Sequence, residues 1–466
     1  MIRMTLGEIA AVTGGRLVNA DEDAAVTGPV EFDSRRVEPG GLFVAFDGEK
    51  VDGHAFAAGA VRAGAAAVLG DRDTGEPGLV VGDQLAALAA LARAVLDRLP
   101  ELTVVGLTGS SGKTTTKDYI GQLLSRLGPT IAPPGSLNNE LGHPYTVLKA
   151  TPQTRFLVLE MGARGIGHIR HLAQIAPPRI GLVLNVGAAH LGEFGSVEGT
   201  ARAKGELVEA VPADGAAILN ADDPLVAGMA GRASGRVVTF GESAAAQVRA
   251  EEVTLDDRGR AAYLLRGHPV RLGVTGRHQV SNTLAAAAVA LEAGMPAAQV
   301  AAALTELSVV SSRRMDVFDR PDGVTVIDDS YNANPSSTAA ALRALAAMAG
   351  DRRTVAVLGY MAELGEYEKS GHEEVGRLAA ELGVERLVAV ADNAAPILDG
   401  ARAVVGWTGT AIFAADQAAA IAAIAVEPGD IVLVKGSRYR TWEVADALRP
   451  SAPGETTVSG AQGGRR

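Results

Sequence analysis

The sequence predicts an α/β protein of three domains, and three observations carry that prediction. Short apolar, β-branched runs alternate with helical stretches along most of the chain, as in parallel sheets covered by helices. One such run, Leu102 to Leu107, stops at the glycine-rich turn Thr108-Gly-Ser-Ser-Gly-Lys-Thr114 and restarts as a helix, with Tyr119, Ile120, Leu123, Leu124 and Leu127 at helical spacing. The 466 residues suit roughly three domains at about 150 each. The expected organisation is a small N-terminal α/β domain (1–100), a central parallel-sheet P-loop domain (101–308) and a C-terminal Rossmann-like α/β domain (309–450). Residues 451–466, rich in Gly, Ser, Thr and Pro, read as a disordered tail.

The glycine-rich turn reads as a phosphate-binding loop. Gly109 and Gly112 reach backbone angles closed to other residues, so Thr108, Gly109, Ser110, Ser111 and Gly112 can turn successive N–H groups toward an anion at a helix N-terminus. Lys113 adds a mobile cation and Thr114 a hydroxyl for magnesium. The loop follows the shorter Gly-x-x-Gly-Lys-Thr pattern, because Leu107 stands where the longer pattern has glycine.

Composition narrows the classes. A formal net charge of −11 argues against a general nucleic-acid binder, which needs a basic surface. With no cysteine there is no disulfide framework, thiolate nucleophile or cysteine-held metal. Glu8 interrupts the N-terminal stretch before an apolar signal segment forms, and no uncharged apolar run approaches the ~18 residues of a spanning helix. A cytoplasmic protein without membrane insertion is expected.

In the first domain, strand-like Gly41 to Phe46 precedes a helical stretch from His54 to Ala63 and a strand at Ala65 to Leu69. Before them, Asp33-Ser-Arg-Arg36 is either a solvated turn or, through arginine's fork, a diphosphate or carboxylate contact. In the central domain, strands are expected at Arg155 to Glu160, Ile180 to Val186 and Ala216 to Asn220. Ligands of open α/β sheets gather beyond the carboxyl ends of such strands, where Glu160, His190 and Lys204 lie. Singly, these residues are equally a cap, a loop histidine and a solvated lysine. The glycine-bracketed Gly135-Ser-Leu-Asn-Asn-Glu-Leu-Gly142 is equally an ordinary turn or a loop over a ligand. Asn282, ending Gly276-Arg-His-Gln-Val-Ser-Asn282, can cap a helix from Thr283 to Glu292.

The last domain repeats the alternation, with strands at Val324 to Asp328, Thr354 to Leu358, Leu387 to Val390 and Asp430 to Val434. Polar loops follow two of them, Asp328-Asp-Ser-Tyr-Asn-Ala-Asn-Pro335 and Lys435-Gly-Ser-Arg438. The second, read as a turn opening a helix, looks like an anion site.

Together these motifs resemble the Mur ligases, ATP-dependent amide ligases that build the peptide of the peptidoglycan precursor. The resemblance runs from about residue 30 to 445. Its shared features are Thr108 to Thr114, Glu160, His190, Lys204, Gly276 to Asn282, and the arginine at 313 or 314, of which Arg314 is placed in the nucleotide set. Gly135 to Glu140, Asp329 to Pro335, Gly359 to Gly365 and Lys435 to Arg438 resemble the branch that adds D-alanyl-D-alanine to UDP-MurNAc-tripeptide. Two positions depart from the pattern: Tyr360, where an acidic residue is usual, and Gln279, where asparagine is commoner.

The resemblance implies ATP and magnesium as cofactors and a monomer. It implies Thr114, Glu160, His190 and a carbamylated Lys204 as metal holders, with Lys113, His190 and Lys204 serving the chemistry and Asn282 and Arg314 contacting nucleotide. It also implies substrate contacts at Ser34, Arg35, Asn138, Asn139, Glu140, Asp329, Tyr331, Asn332, Asn334, Lys435, Ser437 and Arg438. ATP would convert a carboxylate to an acyl phosphate, which an amine then attacks. Three other readings compete: a sister ligase adding the third residue, a folylpolyglutamate synthase-like ligase, and a non-catalytic nucleotide switch. The Asp-Asn-Pro-Arg or Asp-Asp-Pro-Arg signature of the sister ligase and the Asn-Lys-x-Asp motif that reads guanine are both missing. The phosphate loop of folylpolyglutamate synthase lies nearer the N-terminus.

Overall fold

A computed structural model describes residues 1–48, 51–187 and 194–450 of the chain. It divides into two compact units, Met1–Ser312 with Glu363–Gly365, and Arg313–Ala362 with the described residues from Glu366 onward. Among the described residues no helix is long and apolar enough to cross a membrane. The expected tail, 451–466, lies outside the described residues.

The first unit holds a five-stranded and a nine-stranded sheet, besides a two-stranded pair. The smaller sheet orders its strands Arg16–Val18, Gly78–Val80, Ala67–Gly70, Leu42–Val44 and Val30–Glu31. The predicted helix from His54 to Ala63 is a 3-10 turn, Gly53–Phe56, running into a short helix, Ala57–Arg62. Gly53 fixes the entry to that turn, since a Cβ there would meet Phe46 backbone at 2.6 Å. The amphipathic helix Gln84–Asp97 buries Leu88, Leu91 and Val95 in the same core as Val147, Leu148 and Leu172 of the central region. That shared core, at about 1.5–3 kcal/mol for each large side chain buried, makes the first two predicted domains one body.

In the nine-stranded sheet, the loop strand Thr103–Thr108 lies between Phe156–Glu160 and Ile180–Val183, all parallel. Ala216–Asn220 and Arg236–Gly241 continue the parallel order. Beyond them Val248–Leu255, Arg260–Leu265 and His268–Thr275 form an antiparallel meander absent from the sequence prediction. Its turns carry left-handed residues: Gly259 (φ +66°), Arg266 (φ +49°) and Gly267 (φ +79°). The strand expected to reach Val186 ends at Val183, because Asn185 turns away to bond the phosphate loop.

The second unit is a six-stranded sheet ordered Asp316–Asp319, Thr325–Asp328, Ile431–Lys435, Thr354–Gly359, Arg386–Val390 and Thr410–Ala414, parallel except at its first strand. Its four predicted strands stand within one or two residues of their expected bounds.

Candidate active site

The loop follows a strand buried from Val104 onward and opens the helix Lys113–Leu124, here termed the loop helix. Its N-cap is Gly112, left-handed at φ 79°, and no side chain caps it. Glycine is required twice over, by that angle and because a Cβ would come within 2.5 Å of Asn282 Oδ1. An uncapped helix start is an anion-binding position. Asn185 sets the loop's shape. Its carbonyl accepts from Ser110 N–H (3.1 Å), its Oδ1 from Ser111 N–H (2.9 Å), and its Nδ2 donates to Ser111 O (3.2 Å). Ser110 Oγ accepts from Gly187 N–H at 2.9 Å, Lys113 Nζ donates to Gly109 O at 2.7 Å, and Thr108 Oγ1 donates to Met161 O at 2.8 Å.

Glu160 ends the neighbouring strand and is 3% exposed. It accepts from Thr114 Oγ1 (3.0 Å), Ser136 Oγ (2.9 Å) and Asn138 Nδ2 (3.0 Å). It is therefore not a helix cap. All three partners are neutral, so none of these bonds offsets the carboxylate charge. One carboxylate and two hydroxyl oxygens converging at a phosphate loop suit a hard divalent cation that takes its other ligands from phosphates. Among the described residues no cluster of three His, Asp or Glu forms a protein-only metal site.

Lys204 lies on the helix Val197–Ala210, 4% exposed, and lines a cavity of about 160 Å³ with Lys113, Asn138, Asn139, Glu140 and His168. It is not on a solvated face. Burial, and then the nearby Lys113 charge, push its ammonium well below the usual lysine range, toward the neutral amine. Two residues on, the buried carboxylate of Glu206 accepts from Gly167 N–H (2.6 Å) and Arg170 N–H (3.0 Å), fixing the start of the helix His168–Ile175. The Glu140 carboxylate lies 3.7 Å from His168 Nδ1, and Asn139 Oδ1 accepts from Gly142 N–H at 2.8 Å. His190 lies outside the described residues.

Asn282 is not a cap: the helix begins at Gln279, placing Asn282 inside it. The helix starts early because Gln279 is buried, with its Oε1 accepting from Tyr119 OH (3.2 Å) and Asn282 Nδ2 (3.0 Å). Asn282 Oδ1 in turn accepts from Thr116 Oγ1 at 3.4 Å, so this side chain touches the loop helix. In the N-terminal region Ser34 and Arg35 lie in a 3-10 turn capped by Asp33. Arg35 projects into solvent, its fork on Asp33 (2.9 and 2.7 Å), which holds that carboxyl at about 2.

The second unit uses much of its predicted set internally. Lys435, 2% exposed, pairs with Asp329 and donates to Asn332 O at 2.9 Å. Asn334 caps the helix Pro335–Ala349 through Ser337 N–H at 2.9 Å. The Lys435 to Arg438 turn does not open a helix as expected. The next helix starts at Trp442, and Ser437 donates its Oγ and N–H to Tyr360 O (2.9 and 3.3 Å). Tyr331 is exposed beneath the Arg314 guanidinium, 4.2 Å from its ring centre, with Arg314 Nε buried and without a hydrogen-bond partner among the described residues. Arg313 instead bonds Asp446 (3.0 Å) and Trp442 O (3.2 Å). Tyr360, the departure from pattern, stacks on the buried His372 with centroids 5.4 Å apart and donates to Glu368 at 2.6 Å. Sequence reasoning gave no role to Asn185 or Ser136. Their signal was position, a polar residue two places beyond a strand end and one directly after a left-handed glycine.

Three family models match successive parts of the chain: the Mur ligase family catalytic domain over 29–95, the Mur ligase middle domain over 107–290, and the Mur ligase glutamate ligase domain over 313–438. A curated UDP-N-acetylmuramoyl-tripeptide--D-alanyl-D-alanine ligase of Mycobacterium tuberculosis is 50% identical, covering 96% of this chain and 98% of its own. The crystal structure of MurF from Acinetobacter baumannii superposes with a TM-score of 0.85 at 33% identity, covering 96% of this chain and 99% of that one. The MurF ligase of Thermotoga maritima in complex with ADP gives a TM-score of 0.78 at 30% identity, covering 90% and 97%.

Proposed function

The chain belongs to the Mur ligase family, and we propose that it joins D-alanyl-D-alanine to UDP-MurNAc-tripeptide with ATP, forming UDP-MurNAc-pentapeptide. The observation that carries this reading is the Thr114–Glu160 contact at the phosphate loop, on a chain half identical to a ligase of that name.

The tripeptide carboxylate attacks the γ-phosphorus, ADP leaves, and the dipeptide amine displaces phosphate from the acyl phosphate to leave an amide. Two anions must meet in the first step, so charge neutralisation dominates the chemistry. Lys113 and the N–H groups of residues 109–114 hold the phosphates. Thr114 and Glu160 would hold magnesium, which when bound neutralises charge on the β- and γ-phosphates. Lys204, buried and pushed toward its neutral form, has the amine that adds carbon dioxide to become a carbamate anion. With His190 that anion offers a second oxygen and nitrogen donor set. Asn138, Asn139 and Glu140 line the cavity and face the tripeptide. Asn282 and Arg314 contact the nucleotide, and Ser34 and Arg35 the UDP-sugar. In the second unit the exposed Tyr331 and Arg438 contact the dipeptide, with Lys435, Asn332, Asn334 and Ser437 shaping their loops. The enzyme acts as a cytoplasmic monomer.

Phosphate release with ATP and magnesium tests this, with the tripeptide and dipeptide substrates supplied singly and together. Release requiring both, with a product of pentapeptide mass, is expected. Release with UDP-MurNAc-dipeptide and a free diamino acid would assign the sister activity instead.

A further inference from the structure

We infer that Lys117 is a positioning residue for the magnesium–nucleotide site, acting from one turn along the loop helix by fixing the turn that presents Ser136 and Asn138 to Glu160. The inference rests on the ligase reading above and assigns a residue whose charge is spent inside the protein. Thr114 and Lys117, three residues apart, share a face of the loop helix. Thr114 grips Glu160, and Lys117 grips the backbone that feeds Glu160 its other partners.

Lys117 is 2% exposed, and its ammonium donates to Pro133 O and to Gly135 O, the latter at 2.7 Å. These carbonyls flank Pro134, which has no N–H to pair, so the segment cannot satisfy itself as a strand there. Gly135 is left-handed at φ +80°, and the chain leaves it with Ser136 Oγ donating to Glu160 (2.9 Å). Asn138 Nδ2 then donates to both Ser136 Oγ (2.9 Å) and Glu160 (3.0 Å).

A closed circuit locks the turn. Lys117 contacts Asp118 at 3.1 Å, Asp118 accepts from Ser311 N–H at 3.1 Å, and Ser311 Oγ accepts from Gly135 N–H at 3.0 Å. All three side chains are at most 6% exposed. A buried ion pair is a weak source of net stability, so geometry is the stronger reason for this one. Removing the ammonium frees two carbonyls and the turn, and with it the Ser136 hydroxyl and Asn138 amide that orient Glu160.

The test uses the full chain with Lys117→Met, which keeps the aliphatic stem, and Ser311→Ala, which cuts the circuit from outside the loop helix. ADP binding is titrated in EDTA and in excess magnesium, and amide exchange is followed without nucleotide at Gly162, whose N–H donates to Asn138 O at 2.9 Å. For Lys117→Met, ADP affinity in EDTA stays near the wild-type value, while the tightening due to magnesium falls about 10- to 100-fold and Gly162 exchanges faster. In turnover with excess magnesium the KM for ATP rises in step with the lost magnesium gain. Ser311→Ala loses about tenfold of the same magnesium-dependent gain. A full magnesium gain with wild-type Gly162 exchange in either variant overturns the inference, and Ser311→Ala decides alone where Lys117→Met does not fold. A wild-type protein that turns over no ATP with both substrates sinks the ligase reading instead, a separate outcome.

Discussion

Two strand ends in this molecule, one in each unit, carry loops of similar polarity and end differently. At Glu160 a carboxylate accepts hydrogen bonds from three neutral side chains, and the lysine of the adjoining cavity is buried and pushed toward neutrality. At Lys435 the lysine is paired with Asp329 and bonded to the carbonyl of Asn332. The first arrangement leaves charge for a ligand to complete, whereas the second completes itself. A polar strand-end motif therefore marks a site only when its charges are not consumed within the loop.

Substitutions that separate activity from stability sharpen this contrast. Glu160→Gln should lower turnover about 10³-fold with little change in the unfolding midpoint, and near-normal turnover would remove Glu160 from the site. Lys435→Met should do the reverse, costing about 3 kcal/mol because Asp329 is left without its partner. An unchanged denaturation midpoint for that variant would show that the loop is not self-completed. Lys204→Ala should lose about 10²-fold in turnover and regain part of it with short carboxylic acids, which replace the lost anion. Full activity without rescue would contradict the carbamate.

A smaller effect comes from His143, fully buried in the short helix Gly142–Val147 behind the substrate loop. Burial lowers its imidazole to about 4. In the unfolded chain it titrates near the ordinary histidine value of 6.5, so the unfolded state takes up the proton first as pH falls. Its contribution is intact above that value and is lost on acidification toward about 4. Between neutrality and mildly acid conditions the loss is about 2 kcal/mol. Chemical denaturation across that range checks it: His143→Leu should flatten the acid slope, and an unchanged slope would mean that the histidine is solvated.

The parallel core and the phosphate loop were legible because apolar β-branched runs and glycine spacing report buried strands and a tight turn directly. The meander from Val248 to Thr275 breaks the helix–strand alternation, and its signals are the hairpin turns Asp257-Arg-Gly259 and Arg266-Gly267. Asn282 was misplaced as a cap because burial of Gln279 against Tyr119 extends the helix backward, and spacing alone does not reveal that contact. Spacing marks Lys435 and Asn334 as polar residues at a strand end and before a helix, but does not show that Lys435 is buried in its strand and that Asn334 caps the helix. Their internal partners, Asp329 and Ser337, come from the fold.

The most direct test follows one oxygen atom. The tripeptide substrate is labelled in its terminal carboxylate with a heavy oxygen isotope and turned over with ATP, magnesium and D-alanyl-D-alanine. Attack of that carboxylate on the γ-phosphorus predicts one labelled oxygen in each released phosphate and one retained in the new amide. Unlabelled phosphate released alongside a correctly formed pentapeptide would contradict the acyl phosphate, and with it the role assigned to the Thr114–Glu160 site.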